Sequence, residues 1–551
     1  MTVVVGIDFG TLSGRAVVVR AADGEELGAA VHPYAHGVIE DALPASGEPL
    51  PPQWALQDPE DWLDVLRIAV PAAVEAAGIA PEAVAGIATD FTASTPLPVL
   101  RDGTPLCRVP GLERRPHAYP KLWKHHAAQR QADRITALAS ERGEPWLARY
   151  GGRISSEWAF AKALQVLDED PDAYDRCERW SVAADWIVWQ LAGVETRNVC
   201  TAGYKAIRQD GRYPSPDYLR ALDERFTDFV ATRLDAPLWP LGARAGSLTA
   251  QAAAWTGLRE GIAVAVGNVD AHATAPAARV IEPGQMLAVM GTSTCHITLA
   301  ETLGEVPGMC GVVAGGVVPG LYGYEAGQTG VGDIFAWLVD HAVPPRYHDE
   351  ARERGLDLHE HLSALAARQE VGRHGLLALD WNNGNRSVLV DHELSGLVVG
   401  LTLATRAEDL YRALVEATAF GTRKILAAFA EAGLVVDDFV VSGGLVKNPF
   451  VLQVYADVLR MPLLVGGSDQ GPALGAAMHA AVAAGLHPDI RAASAAMGRL
   501  ERDAHVPDPV AADAYDVLYE RYERLHDHFG RGGDDVMHAL RELRPREVAR
   551  G

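Results

Sequence analysis

A hairpin built over a glycine turn occurs twice in this chain, and that repetition constrains the fold more than any other feature. Residues 3–20 read VVVGIDFGTLSGRAVVVR: a β-rich run, a turn region carrying Gly6, Asp8, Gly10, Thr11, Ser13 and Gly14, and a second β-rich run. Residues 285–300 read QMLAVMGTSTCHITLA, with a Gly-Thr-Ser-Thr turn between two apolar runs. Two such hairpins predict two related lobes. Each turn offers backbone N–H groups and hydroxyls suited to a polyphosphate. The Asp8 carboxylate stands where a phosphate-bound cation needs a partner. ATP chemistry between two lobes is the first expectation.

Size agrees with two lobes, since 551 residues exceed one core and domains run to about 100–200 residues each. The charge balance, 49 Lys plus Arg against 72 Asp plus Glu, gives −23. That excess argues against nucleic acid or an anionic membrane as main partner, because both need a positive face. Cys107, Cys177, Cys200, Cys295 and Cys310 form no C-x-x-C pair and no metal-ligand spacing. Scattered thiols predict reduced cysteines in a cytoplasmic protein. No leader with a basic and then an apolar region is visible, and no apolar run reaches the roughly 20 residues of a membrane helix.

Along the chain, helices are predicted over 58–77, 121–139, 157–167 and 180–191, and a buried strand over 84–88 running into Thr89-Asp90-Phe91-Thr92. A short strand at 263–267 ends in Gly-Asn-Val-Asp and leads into an Ala-rich helix over 271–279. A second unit begins near Ile281. It holds the second hairpin, a Gly-rich stretch to Gly332, a polar helical insert over 347–367 and a helix over 407–432. Strands at 439–441 and 462–465 alternate with helices at 449–459 and 473–484, and a charged helix comes after Asp503. Such alternation predicts α/β architecture in both halves.

Phosphoryl transfer needs positioned phosphates, a divalent cation and a base for the accepting hydroxyl. Gly10, Thr11 and Ser13 in the first turn, and Gly291 and Thr292 in the second, are the phosphate candidates. Either turn alone reads equally as an ordinary hairpin. Asp270 follows a strand end at a helix start, a common ligand position, and is the candidate base. Its plain alternative is a helix N-cap. Ser442-Gly443-Gly444 and Asn448 lie between a strand and a helix, where a ligand can approach backbone closely or where the chain simply turns. There is no GxxxxGK[ST] loop and no GxGxxG after the first strand.

The runs GIDFGTLSGR, GNVDAH, GTSTCH and SGGLVKNP, in this order, resemble the FGGY family of carbohydrate kinases. Residues 395–416, SGLVVGLTLATRAEDLYRALVE, are similar to that family's C-terminal signature, while its N-terminal signature is only partly kept at residues 161–165. Residues 122–126 (LWKHH), 154–158 (ISSEW), 203–205 (GYK) and 324–328 (YEAGQ) resemble the branch that phosphorylates L-ribulose.

The resemblance implies two actin-like or ribonuclease-H-like lobes with the active site in the cleft between them. Residues 1–279 would serve mainly the sugar and residues 280–551 mainly ATP. Asp270 would take the proton of the sugar's 5-hydroxyl and stand beside the metal. Asp8 would hold Mg²⁺ through water. Gly291 and Thr292 would bond the transferring phosphate, Gly443, Gly444 and Asn448 would flank the nucleoside, and residues 468–471 would close that pocket. Ser94 or Thr95, Lys205, Asp270 and Glu325 are the implied sugar ligands. Trp123 is read as pocket wall or core, His125 and His126 as structural or sugar-adjacent, and Cys295 as a small buried filler. The implied partners are a small sugar and MgATP, with a homodimer left open. Another ketopentose or a pentitol is the alternative substrate. A nucleotide-switched binding protein on the same fold is the alternative class.

Overall fold

The computed structural model describes residues 1–543. Both hairpins form, and each seeds a sheet. In the first, β1 (Val3–Phe9) pairs antiparallel with β2 (Ser13–Arg20), and β3 (Glu26–Pro33) lies outside β2. On the other side of β1 come β4 (Val84–Phe91), then, in chain order, β5 (Arg244–Ser247), β6 (Ala263–Ala265) and β7 (Asn268–Val269). Their spatial order is β3-β2-β1-β4-β6-β5, with β7 beside the end of β4.

The second sheet contains β8 (Gln285–Met290), β9 (Thr294–Ala300), β10 (Gly311–Ala314), β11 (Tyr322–Gln328), β12 (Asp438–Ser442), β13 (Leu463–Gly466) and β14 (Leu500–His505). Their order is β10-β11-β9-β8-β12-β13-β14. With β10 set aside, the two orders coincide: three antiparallel strands, two parallel additions and an antiparallel edge. The apolar runs of β1 and β4 are buried along nearly their whole length, as strands covered on both faces must be.

Five helices bear on the site: α1 (Ala159–Glu169), α2 (Val199–Lys205), α3 (Asp270–Ala277), α4 (Pro449–Leu459) and α5 (Gly471–Ala483). The small residues of α3 and α5 let these two helices meet between the sheets. A Cβ added to Gly475 would overlap the carbonyl of Ala273, and one on Gly6 of β1 would overlap the carbonyl of Ala473. One apolar cluster therefore joins Val4 and Val17 of the first sheet to Leu287 and Ile297 of the second through alanines of both helices. No helix among the described residues is long and apolar enough to cross a membrane.

Three predicted elements differ, and one stretch without a predicted element holds strands. The helix expected from 121 begins only at Gln129, because Lys121 and Leu122 spend their N–H groups on Pro96 and Ala55. Residues 179–182 form a strand against residues 96–99, and the helix starts at Ala183, a short apolar run that periodicity cannot assign. The insert expected over 347–367 is two helices, Pro345–Arg354 and Leu358–Ala366, broken at Gly355 with φ +67°. The Gly-rich stretch before Gly332 holds β10 and β11. Its glycines meet packing demands rather than loop demands, since a Cβ on Gly323 would sit 2.6 Å from the Tyr204 hydroxyl.

Candidate active site

Parallel pairing of β1 with β4 sets Asp8 opposite Asp90 at the carboxyl ends of the two strands. β7 sets Asn268 beside Asp90, and α3 opens directly with Asp270. Three carboxyl groups thus gather where α/β sheets place ligands. Asp90 is fully buried and neither of its carboxylate oxygens has a hydrogen-bond partner among the described residues. Burial, then the charges of Asp8 and Asp270, push its pKa well up. Burial also raises Asp8, against the pull of the neighbouring Asp90 carboxyl and of Arg15. For Asp270, burial and the Asp8 charge bring the carboxyl to about 7, while its Oδ1 accepts the Ala271 N–H at 2.6 Å. A carboxyl with that pKa can accept a proton near neutrality.

The two turns close alike. Gly10 donates its N–H to the Ser13 carbonyl at 3.0 Å, and Gly291 donates to the Ser293 carbonyl at 2.9 Å. Around the first turn, the Trp123 indole donates to Thr11 Oγ1 at 3.1 Å and Gln57 donates to the Thr11 carbonyl at 2.9 Å. Around the second, the Thr292 carbonyl accepts from Val331 and Asp333 at 2.8 and 3.2 Å. Gly443 has φ +97°, and a Cβ there would overlap the Met290 carbonyl; the corresponding position at Gly444 opens onto free space. Asn448 spends its side-chain oxygen capping α4 and donates to Ser363 Oγ at 2.9 Å. Gly471 lies against Ser442 and against Thr274, whose hydroxyl donates to the Asp270 carbonyl at 2.9 Å. The glycine turns of the second half and the start of α3 are therefore neighbours.

Lys205 closes α2 in the first half, and Glu325 stands on β11 in the second. Both are buried, and Lys205 Nζ donates to the two Glu325 oxygens at 2.7 and 3.0 Å. Burial alone would neutralise both groups; their pairing holds the lysine pKa up and the glutamate pKa down. Their charges are felt at Asp270. The same pair lines a cleft of about 590 Å³ of open space, shared with Glu157, Arg386, Arg153 and His392. Ser94, Thr95 and Asp270 do not line that space. Ser94, at φ +65°, donates its hydroxyl to the Glu157 carbonyl at 2.5 Å, and the Thr95 hydroxyl lies 3.2 Å from that of Thr92. Both hydroxyls are thus engaged within the protein.

Four residues beyond the sequence-derived set belong here. Asp90 had a signal, an acid closing a buried strand opposite Asp8. Lys162 donates to the carbonyls of Ser94, Lys121 and Leu122 and so shapes the loop beside Ser94. Glu157 and Arg386 meet at 3.2 Å from opposite halves, which no local pattern could disclose. His125 uses both ring nitrogens inside the protein, on the Ala55 N–H and on Gln165. Burial pushes the Cys295 thiol pKa well up, so it carries no thiolate character.

Among the described residues no group of three His, Cys, Asp or Glu side chains could hold a metal by itself. A cation here would depend on water and phosphate oxygens beside one or two carboxylates, which is how Mg²⁺ binds. Asp8, with Asp270 near it, fits such an ion.

Residues 286–484 match the model of the FGGY family of carbohydrate kinases, C-terminal domain. The chain is 59% identical over 542 residues to a ribulokinase of Mycolicibacterium smegmatis, covering 98% of this chain and 96% of that protein. It is 52% identical to a ribulokinase of Shouchella clausii, covering 98% of each. Among solved structures, a xylulose kinase from Rhodospirillum rubrum superposes with a TM-score of 0.75 at 24% identity, covering 98% of this chain and all of that one. A second sugar kinase, from Brucella ovis, gives 0.78 at 20%, with 98% of this chain and 100% of that one covered. At such identities the likeness speaks for the fold alone.

Proposed function

This chain belongs to the FGGY family of carbohydrate kinases, and on that premise we propose that it phosphorylates L-ribulose at the 5-hydroxyl, giving L-ribulose 5-phosphate and ADP in L-arabinose breakdown. The observation that carries this reading is the position of Asp270. It opens α3 beside the Asp8 turn, next to the buried Lys205–Glu325 pair, with its carboxyl raised to about 7 by burial and the Asp8 charge.

In this reaction the sugar's O5 forms a bond to the γ-phosphorus as the bond from phosphorus to the ADP oxygen breaks. The O5 proton passes to Asp270. Because such transition states are loose, positioning and charge stabilisation supply most of the rate, and an ordinary carboxylate suffices as base. Thr11, Ser13 and Thr292 offer backbone N–H groups to the phosphates from turns that the Gly10 and Gly291 N–H groups close. Gly444 leaves room for the nucleoside, Gly443 makes the close turn against the Met290 carbonyl beside it, and Asn448 caps the helix behind them. When bound, Mg²⁺ would supply positive charge to the phosphates, and Asp8, with Asp270 near it, would hold the ion through water. Lys205 and Glu325 offer a donor and an acceptor to sugar hydroxyls and reject analogues that lack them. Residues 1–279 then serve mainly the sugar and residues 280–551 mainly ATP, although Glu325 crosses from the second half. Such an enzyme works in the cytoplasm, where ATP is supplied.

A coupled ADP-release assay over ketopentoses, pentitols and glycerol tests the reading. Turnover should depend on ribulose and should disappear in Asp270→Asn while ATP still binds. ADP release that is equal with and without sugar would sink it, and a large preference for D-ribulose would move the substrate to the other stereoisomer.

A further inference from the structure

Two residues beyond Glu325 on β11 stands Gly327. Side chains at such positions share one face of a strand, about 6.7 Å apart. Gly327 leaves its place on that face vacant, and Arg386 fills it: a Cβ on Gly327 would come within 3.1 Å of Arg386 Cδ. The loop carrying Arg386 is fixed on both sides. Gly327 donates its N–H to Ser387 Oγ at 3.2 Å, and Arg153 of the first half donates to the Val390 carbonyl at 2.7 Å. The cleft wall therefore runs from Lys205–Glu325, whose charges reach Asp270, on to Arg386–Glu157.

The two ion pairs differ in what they leave open. Lys205 and Glu325 satisfy each other through two contacts. Arg386 makes a single side-chain hydrogen bond among the described residues, to Glu157 at 3.2 Å, while lining the open cleft. Most of its donors, and one Glu157 oxygen, remain for a ligand. Burial would raise the Glu157 pKa, but Arg386, His126 and their neighbours hold it at about 2, so it stays an acceptor.

Pentulose chemistry supplies the match. In the furanose ring O5 is the ring oxygen, so only the open chain has a free 5-hydroxyl to phosphorylate. That same open chain exposes a C2 carbonyl beside the O1 hydroxyl. A carbonyl can only accept and a guanidinium can only donate; a carboxylate accepts the hydrogen bond that a hydroxyl donates. The geometry points to Arg386 and Glu157 as the pair that reads the hydroxyketone end of the sugar, Arg386 donating to the C2 carbonyl and Glu157 accepting from O1–H while O5 faces Asp270. This assignment rests on the kinase reading above. An alditol would set a hydroxyl where the guanidinium expects a pure acceptor, and would bind less well for that reason.

The test is steady-state kinetics of wild type, Arg386→Gln and Arg386→Lys on L-ribulose and on ribitol at saturating MgATP, with a melting curve for each protein. Arg386→Gln should raise the KM for ribulose by about 10- to 100-fold, the loss of one charge-assisted hydrogen bond. The KM for ribitol should move far less, and Arg386→Lys should recover part of the loss. An equal rise for both sugars, or a loss confined to kcat, overturns the assignment. If the Gln variant melts too low to assay, the Lys variant decides: a narrowed ribulose-to-ribitol KM ratio supports it, and an unchanged ratio overturns it. Failure of the wild type on every ketopentose would instead sink the kinase reading.

Discussion

Gly10 in the first sheet and Gly291 in the second close their turns by the same backbone hydrogen bond, but the side chains around them are of opposite kinds. Two residues before each glycine stand Asp8 and Val289. Their partners on the adjacent parallel strand are Asp90 and Ser442. The helices after the last parallel strand of each sheet open with Asp270 in α3 and with Gly471 in α5. One half therefore carries three acids on a frame where the other half carries an aliphatic residue, a hydroxyl and a glycine. Backbone geometry can be duplicated and still serve phosphates in both copies, because the N–H groups do not depend on sequence. Charge cannot be duplicated as freely: acids facing the phosphates from both sides would repel them. The division supports the proposed reading, in which the first half holds cation and base and the second receives the nucleotide.

The contrast can be broken experimentally. Removing the acid that matters most, Asp270→Asn, should lower kcat by about a thousandfold, roughly 4 kcal/mol of transition-state stabilisation, with ATP binding retained. Near-wild-type turnover of the variant would move the base elsewhere. Gly475→Ala probes the seam that holds the two halves in register. Its methyl would strike the Ala273 carbonyl, and the expected loss of unfolding free energy is about 3 kcal/mol by denaturant titration. An unaltered midpoint would mean that α3 and α5 can part without cost.

Giving the second half the acid it lacks is a sharper probe. Val289→Asp should raise the KM for MgATP by about tenfold, about 1.4 kcal/mol, and leave the sugar KM in place. If the nucleotide KM does not move, the second turn does not face phosphate. The mildest effect is on pH. The base must be ionised to work, and burial raises Asp270 to about 7. Sugar kcat/KM should therefore fall as pH drops through that value, by about twofold on reaching it. A profile flat from about pH 6 to 8 would remove Asp270 from the proton path.

Both hairpins, the parallel strands after them and the order of the glycine turns were legible from local pattern. Turn glycines and apolar runs are local signals, and local sterics enforce them. Asp8 and Asp270 were legible for the same reason, each standing at a strand end beside a turn. The boundary at Gln129 was not, because tertiary hydrogen bonds to Pro96 and Ala55 overrode helical spacing. Nor was β11, whose glycines hid the strand and make room for Tyr204 and Arg386.

By itself, then, the sequence determined the repeated strand–turn–strand frame, the acidic character of one copy and the residue types that a phosphoryl transfer needs. Tertiary structure decided which of them meet. Lys205 lies 120 residues from Glu325, and Glu157 lies 229 from Arg386, yet each pair closes across the cleft. It also turned the Ser94 and Thr95 hydroxyls inward and left Asp90 buried without a hydrogen-bond partner among the described residues. The physical reason is range. Turns and strands arise from neighbours along the chain, whereas an ion pair, a desolvated carboxyl or a vacant place over a glycine exists only once both halves have packed.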